Sequence, residues 1–188
     1  MRTIYAPLFA LFASSCGLND PNTTSGGYDI TSYVSGPWRS YQTYYNNTGL
    51  RKAVCIMSTL SIDSSPARAF FRSSWPQATV TTDTRSGERN KIAFHVAYEQ
   101  DPKGQPVIIV GAKEFKLVVN GEFAYPPDAG AELSLLKAMK ANSAFRSKAV
   151  VKGAAKDGTR TEDHFGLEGF EAQLSAMNEH CPVAGKSS

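Results

Sequence analysis

The chain has 188 residues, 41% of them hydrophobic, and its 20 Lys and Arg against 17 Asp and Glu leave a net charge of +3. That is enough for a real core, and the mild basic excess does not by itself demand nucleic acid. No internal repeat, heptad array or low-complexity tract is present, which excludes solenoids and coiled coils.

The amino terminus carries Arg2, an apolar stretch over residues 4–13 and then small residues. A positive start, a short apolar core and a small-residue exit form a secretory signal, assigned to residues 1–15. The run is about ten residues, half of the roughly twenty that a spanning helix needs. No later stretch approaches that length, so no transmembrane segment is predicted. Ala13 and Ser15 suit an ordinary signal peptidase. The segment Phe-Ala-Ser-Ser-Cys-Gly, residues 12–17, also resembles the bacterial lipobox, with Ala13 where leucine is usual. Lipidation of Cys16 would explain the odd count of three cysteines, because it leaves the even pair Cys55 and Cys181 for an oxidising compartment. The alternative is an incidental cysteine in a leader. Gly17 stands where an aspartate would favour the inner membrane, which points to the outer one. Residues 18–36, rich in Gly, Ser, Thr and Asn, have too little apolar content to pack. With Cys16 they are expected to form a flexible tether, 16–36, ahead of a single domain over 37–188.

Within the domain, residues 38–45 and 53–62 are predicted to be strands. Residues 63–90, with Pro66, Pro76 and many Ser, Thr and Arg, are expected to form a long irregular excursion. Ile92, Phe94, Val96 and Tyr98 then alternate with Ala93, His95 and Ala97, the period-two signature of a strand. The apolar run 106–111 suits a strand buried on both faces. Phe115, Leu117 and Val119 alternate into Asn120-Gly121, a pair suited to a tight type I′ hairpin turn. Asp128 can cap a helix whose apolar side carries Leu133, Leu136 and Met139. In residues 144–153, Phe145, Ser147, Ala149 and Val151 alternate with Arg146, Lys148, Val150 and Lys152. Asp157-Gly158 then turns the chain back into a strand over 159–167.

A last helix places Phe170, Leu174, Met177 and Cys181 on one face, and Pro182 ends it. Cys181 therefore lies on a buried stripe, and Cys55 lies in an apolar strand. A Cys55–Cys181 bridge would close a loop of about 126 residues, worth roughly 4–5 kcal/mol by chain entropy. The alternative is two buried free thiols.

The carboxyl half combines an Ala138-Met139 pair in a helix, Val151-Lys152-Gly153 at a strand end and Gly158-Thr159-Arg160-Thr161 at a turn. Leu167-Glu168-Gly169-Phe170 starts the last helix, and Cys181 closes the series. Together with Trp38 and Cys55-Ile56-Met57 upstream, these segments resemble the invasion-associated locus B family of bacterial exported proteins. The resemblance covers roughly residues 37–181 and departs from the family at Ala53 and Ile56. It implies an immunoglobulin-like β-sandwich with two helices at its edge, export to the periplasm or outer membrane, and an association with host-cell invasion in some members. It carries no catalytic residues, and the mainly β pattern above agrees with such a fold.

Chemistry-bearing patterns are sparse. His95, His164 and His180 form no His-Glu-x-x-His pair, and no cysteine stands at metal spacing from another, so neither metal nor cofactor is expected. Glu162, Asp163 and His164 are the densest titratable cluster. On a strand Asp163 faces away from its neighbours, so a solvated strand face is expected there rather than a catalytic group. No nucleophile elbow or phosphate loop is present, and an enzyme is not expected.

The feature above background is a basic band: Lys137, Lys140, Arg146, Lys148, Lys152, Lys156 and Arg160 against Asp157 alone. Arg146, Lys148 and Lys152 are expected on one strand face, with Lys156 and Arg160 extending it. Such a band can meet anionic lipid headgroups or acidic glycans. It can equally be a solubilising face with its carboxylates elsewhere in sequence. Nucleic acid is not expected, for want of interleaved aromatics. Two functions follow: a lipid-anchored envelope protein that binds an anionic lipid, a glycan, or a host or envelope protein, and a structural or assembly component of the envelope.

Overall fold

The computed structural model describes residues 27–29, 36–45, 52–66, 72–101 and 103–183. Among them the strands are β1 (Gly27–Asp29), β2 (Arg39–Tyr45), β3 (Lys52–Leu60), β4 (Asp63–Ser65), β5 (Gln77–Asp83), β6 (Glu88–His95), β7 (Val107–Val110), β8 (Lys113–Lys116), β9 (Val118–Asn120) and β10 (Phe123–Tyr125). Helix α1 (Ala129–Ala141), β11 (Lys148–Ala154), β12 (Arg160–Gly166) and α2 (Phe170–His180) complete the order. The protein is mainly β, with two antiparallel sheets and two helices, one at the carboxyl end. The first sheet runs β1-β2-β3-β5-β6-β10-β9 and the second β4-β12-β11-β7-β8.

The sheets meet because each turns one apolar face inward. Met57, Val80, Ile92 and Phe94 of the first sheet and Ile108, Val110, Ala149, Val151 and Phe165 of the second share one buried cluster. Phe94 and Phe165 touch across it, ring centroids 5.8 Å apart. Trp38 joins the two sheets at one end: its indole N–H donates to Gly166 O at 2.8 Å, and its ring meets Phe170 edge-on at 5.0 Å.

The alternating segment 92–98 packs as its pattern predicts, with Ile92, Phe94, Val96 and Tyr98 all buried. Strands also form at 39–45 and 52–60, and Asp157 and Gly158 turn the chain between β11 and β12, where Gly158 N donates to Ala155 O at 2.9 Å. In β7 only Ile108 and Val110 are buried, while Val107 and Ile109 are half-buried. The hairpin is present, but Asn120 pairs with Phe123, so its two loop residues are Gly121 (φ +60°) and Glu122, one position later than the sequence pattern suggests. Leu117 interrupts the alternation before it, because the chain crosses there from β8 in one sheet to β9 in the other.

Other expectations are corrected. Residues 63–90 are not an irregular excursion: β4 edges the second sheet, and β5 sits between β3 and β6 in the first. Thr and Asp occupy that strand, but Ala78, Val80 and Thr82 face away from solvent. The stretch 18–36 contains β1, which pairs with β2.

In α1 the Asp128 carboxylate accepts the cap bond from Ala131 N at 2.8 Å, as predicted. Leu133, however, is 54% exposed. The inward stripe runs instead through Glu132, Leu135, Leu136 and Met139. Glu132 is held there by Ile92 N–H and by the Lys91 ammonium, both at 3.0 Å. In α2 Phe170, Leu174 and Met177 are buried as their spacing requires, and Cys181 follows on the same stripe.

Candidate functional site

Cys55 of β3 and Cys181 at the end of α2 form a disulfide, with Cα atoms 6.3 Å apart across 126 residues of sequence. Both residues are buried. The bridge fastens the last helix to the first sheet. Cys16, the expected lipidation site, lies outside the described residues, as does the whole signal 1–15.

The basic band resolves into separate groups. β11 starts at Lys148, not at residue 145. Arg146 lies ahead of the strand with φ +63°, and Phe145, expected inward, is 69% exposed with the Arg146 guanidinium 4.9 Å from its ring centre. The chain turns at 143–147 to carry α1 into β11, which lifts Phe145 and Arg146 off the sheet. Lys148 and Lys152 do share the outer face of β11, with Ala149 and Val151 inward.

That outer face is a row of matched charges with β12, where Lys152 sits opposite Glu162 and Val150 opposite His164. Lys152 Nζ lies 3.2 Å from Glu162 Oε2, His164 Nε2 lies 2.6 Å from Glu162 Oε1, and Lys148 Nζ lies 3.2 Å from His164 Nδ1. An ammonium can only donate, so His164 accepts at Nδ1 and gives its Nε2–H to Glu162. The His164 bond, then the Lys152 bond, holds the Glu162 carboxyl below its usual range. Lys156 is matched in turn by Glu99 at 2.7 Å. Arg146 and Arg160 make no ion pair among the described residues.

Arg160 and Lys152 instead line a shallow cleft of about 500 Å³ on this face. Ser65 enters it from β4, paired with Glu162, and Val107 enters from β7, paired with Lys152. Gly104, Gln105, Gly153, Ala154, Thr161 and Glu162 complete the wall. Two cations, one carboxylate, the Ser65 hydroxyl and the Gln105 amide line it, an assortment suited to a hydrated anionic ligand rather than an apolar one. Gln105 and Ser65 carry no sequence pattern that would have singled them out, because only strand pairing brings them beside Lys152.

Asp163 faces the other way, as β-strand alternation requires. It is sealed between the sheets with Arg72, whose Nη2 lies 2.9 Å from Asp163 Oδ1. Arg72 also donates to Val96 O at 2.9 Å and lies over the Tyr98 ring at 5.1 Å. Burial raises the Asp163 carboxyl above its ordinary value, against the pull of the Arg72 guanidinium. Tyr98 bonds Thr161 through its hydroxyl, and burial raises its phenol too. Gly153 sits beneath this pair: a Cβ there would come 3.1 Å from Tyr98 Oη.

A third polar group lies by the first sheet, where His95 Nε2 and Glu122 Oε2 are 2.9 Å apart and Ser73 Oγ donates to the same carboxylate. Glutamate is the centre of that trio: His95 and Ser73 each bond its carboxylate. His180 Nδ1–H donates to Ala176 O at 2.8 Å within its own helix. Among the described residues no three His, Cys, Asp or Glu side chains converge to hold a metal ion. The chain matches no protein-family model, no curated protein and no solved structure.

Proposed function

We propose that this chain is an exported, lipid-anchored and non-enzymatic binding domain of the bacterial cell envelope, of the invasion-associated locus B kind, which takes an anionic ligand on the outer face of its second sheet. The observation that carries the reading is the buried Cys55–Cys181 disulfide. Such bridges form and persist in oxidising compartments, outside the reducing cytosol. An odd third cysteine behind a short apolar leader then supplies the anchor at Cys16. The ligand-binding part rests on the cleft that Lys152 and Arg160 share, where Arg160 has no carboxylate partner among the described residues. A phosphate or sulfate group fits those two cations.

The test is binding to a sulfated glycan and, separately, to phosphatidylglycerol vesicles, as salt is raised. The proposal expects binding that falls steeply with salt and is weakened by Lys152→Gln with Arg160→Gln at unchanged stability. Binding indifferent to both would overturn the anionic-ligand reading. A structural spacer is the second reading. It is favoured by the partners that Lys148, Lys152 and Lys156 already have in His164, Glu162 and Glu99.

A further inference from the structure

His164 of β12 sits on the outer face of the second sheet, its side chain 17% exposed, between Lys148 and Glu162. Lys148 stands opposite Gly166, which offers no side chain, and its ammonium reaches His164 Nδ1 at 3.2 Å. On the other edge of the ring, Nε2 meets Glu162 Oε1 at 2.6 Å, and Glu162 Oε2 takes Lys152 at 3.2 Å. An ammonium has protons to give and no lone pair to accept with. The row Lys148–His164–Glu162–Lys152 therefore closes only around a neutral imidazole, with its proton on Nε2 and Nδ1 bare.

Protonation breaks this row at one defined point. A proton on Nδ1 occupies the lone pair that Lys148 uses, and the imidazolium then repels that ammonium. At the other edge the bond to Glu162 becomes charge-assisted, which makes it about twice as strong as a neutral one. Glu162 then answers two cations instead of one, and its hold on Lys152 loosens. The Glu162 carboxyl remains the anion of the row, because its bonds to His164 and Lys152 keep it below the usual range. The other charged groups facing His164 come from three strands. Arg160 lies farther along β12, Lys148 and Lys152 belong to β11, and Asp63 of β4 pairs with His164 across the sheet edge. Asp63 is present before and after the proton arrives, so the face gains one positive charge whatever Asp63 bonds.

Resting on the reading that this face takes an anionic ligand, we infer that His164 is a proton switch for that ligand: one proton on Nδ1 releases Lys148 and frees Lys152 to join Arg160 on the anion. Lys152 connects the two parts, because it ends the hydrogen-bonded row and also lines the cleft. The cations follow one line along the sheet. Lys148 and Lys152 are four positions apart on the same face of β11, about 13 Å. Arg160 stands opposite Ala154, two positions further on. A ligand with several anionic groups meets Lys152 and Arg160 at neutral pH, and Lys148 as well once His164 is charged. Histidine is the side chain whose charge ordinarily changes between about pH 5 and 8, so the switch works between mild acid and neutrality.

The full chain is titrated with a heparin oligosaccharide, and separately with phosphatidylglycerol vesicles, at about pH 7.5 and about pH 5.5, across the histidine range. Sulfate esters and phosphodiesters stay ionised at both, so a pH effect belongs to the protein. The parent is expected to bind one of the two probes roughly three- to tenfold more tightly at the lower pH, the effect of one added charge near a water-facing site. His164→Gln, whose amide donates and accepts but does not titrate, should lose that ratio while its circular dichroism matches the parent. The ratio is taken within each variant, and His95 and His180 are present in both, so neither overall affinity nor the other histidines can account for the loss. Nitrogen NMR of the His164 ring in the ligand-free parent should place the proton on Nε2 at the higher pH and on both nitrogens at the lower.

The same pH ratio in the parent and His164→Gln overturns the switch and leaves the anionic-ligand reading standing. A neutral ring with its proton on Nδ1 also overturns the switch, because Lys148 then has no acceptor there. Failure of both probes to bind at either pH overturns the anionic-ligand reading and the switch with it.

Discussion

Arg72 and Asp163, 91 residues apart in sequence, form an ion pair sealed between the two sheets, their side chains 1% and 0% exposed. Taking two charges out of water is costly, and what offsets it is their close approach, 2.9 Å from Nη2 to Oδ1, together with the hydrogen bond that Nη1 donates to Oδ2 at 3.2 Å. Removing one partner leaves the other charge uncompensated. Arg72→Ala is expected to lower stability by about 3–5 kcal/mol, and Arg72→Met with Asp163→Leu by clearly less. Urea unfolding of both single variants and the double variant measures the coupling. Additive losses would show that the pair does not act as a unit.

The Cys55–Cys181 bridge closes most of the domain into one covalent loop. Cys55→Ala should cost roughly 2–5 kcal/mol in denaturant midpoint analysis, and a reductant should lower the stability of the parent chain but not of the variant. Equal stability of oxidised and reduced parent would mean that packing of Phe170, Leu174 and Met177 alone holds α2 in place.

Asp83 gives the acid limb of stability a definite sign. Burial raises its carboxyl, but Arg85 overrides this through its side-chain and backbone N–H bonds, with Nη2 2.7 Å from Oδ2, so the net value falls below the usual 3.8. A folded-state value below the unfolded one means that the unfolded chain binds the proton more readily. The stabilisation is therefore complete above about pH 4 and is lost as pH falls through the depressed folded value. The stability difference between the parent and Asp83→Asn should be constant from neutral pH down to about pH 5 and shrink below about pH 4. A difference that grows on acidification would contradict the assignment.

Much of the architecture was legible where alternation was strong. Ile92, Phe94, Val96 and Tyr98 are all inward, and the spacing of Phe170, Leu174, Met177 and Cys181 located both the face of α2 and the disulfide. β5 was missed because its inward positions are small or hydroxylated, Ala78 and Thr82 among them, and the flanking prolines mimic a loop. Phe145 misled for the opposite reason: an aromatic in phase with Ala149 and Val151 looks inward, but the strand has not begun.

The basic band could be counted from the sequence but not priced in partners, since Glu99, Glu162 and His164 reach the lysines only through sheet pairing. Gly153, which the sequence marks only as part of a motif, clears space for the Tyr98–Thr161 contact. The Arg72 site draws on three separate segments, and no local period could have announced it.

The proposed function stands most directly on Cys16, which links the expected export signal to the odd cysteine count. Cells expressing the parent chain or Cys16→Ser are grown with a labelled fatty acid and their envelopes separated from the soluble fractions. The account predicts label on the parent chain in the outer-membrane fraction, and none on Cys16→Ser, which is released to the soluble periplasm with its Cys55–Cys181 bridge intact. Equal labelling of the two chains, or a parent chain recovered unlabelled in the cytosol with Cys55 and Cys181 reduced, would contradict it.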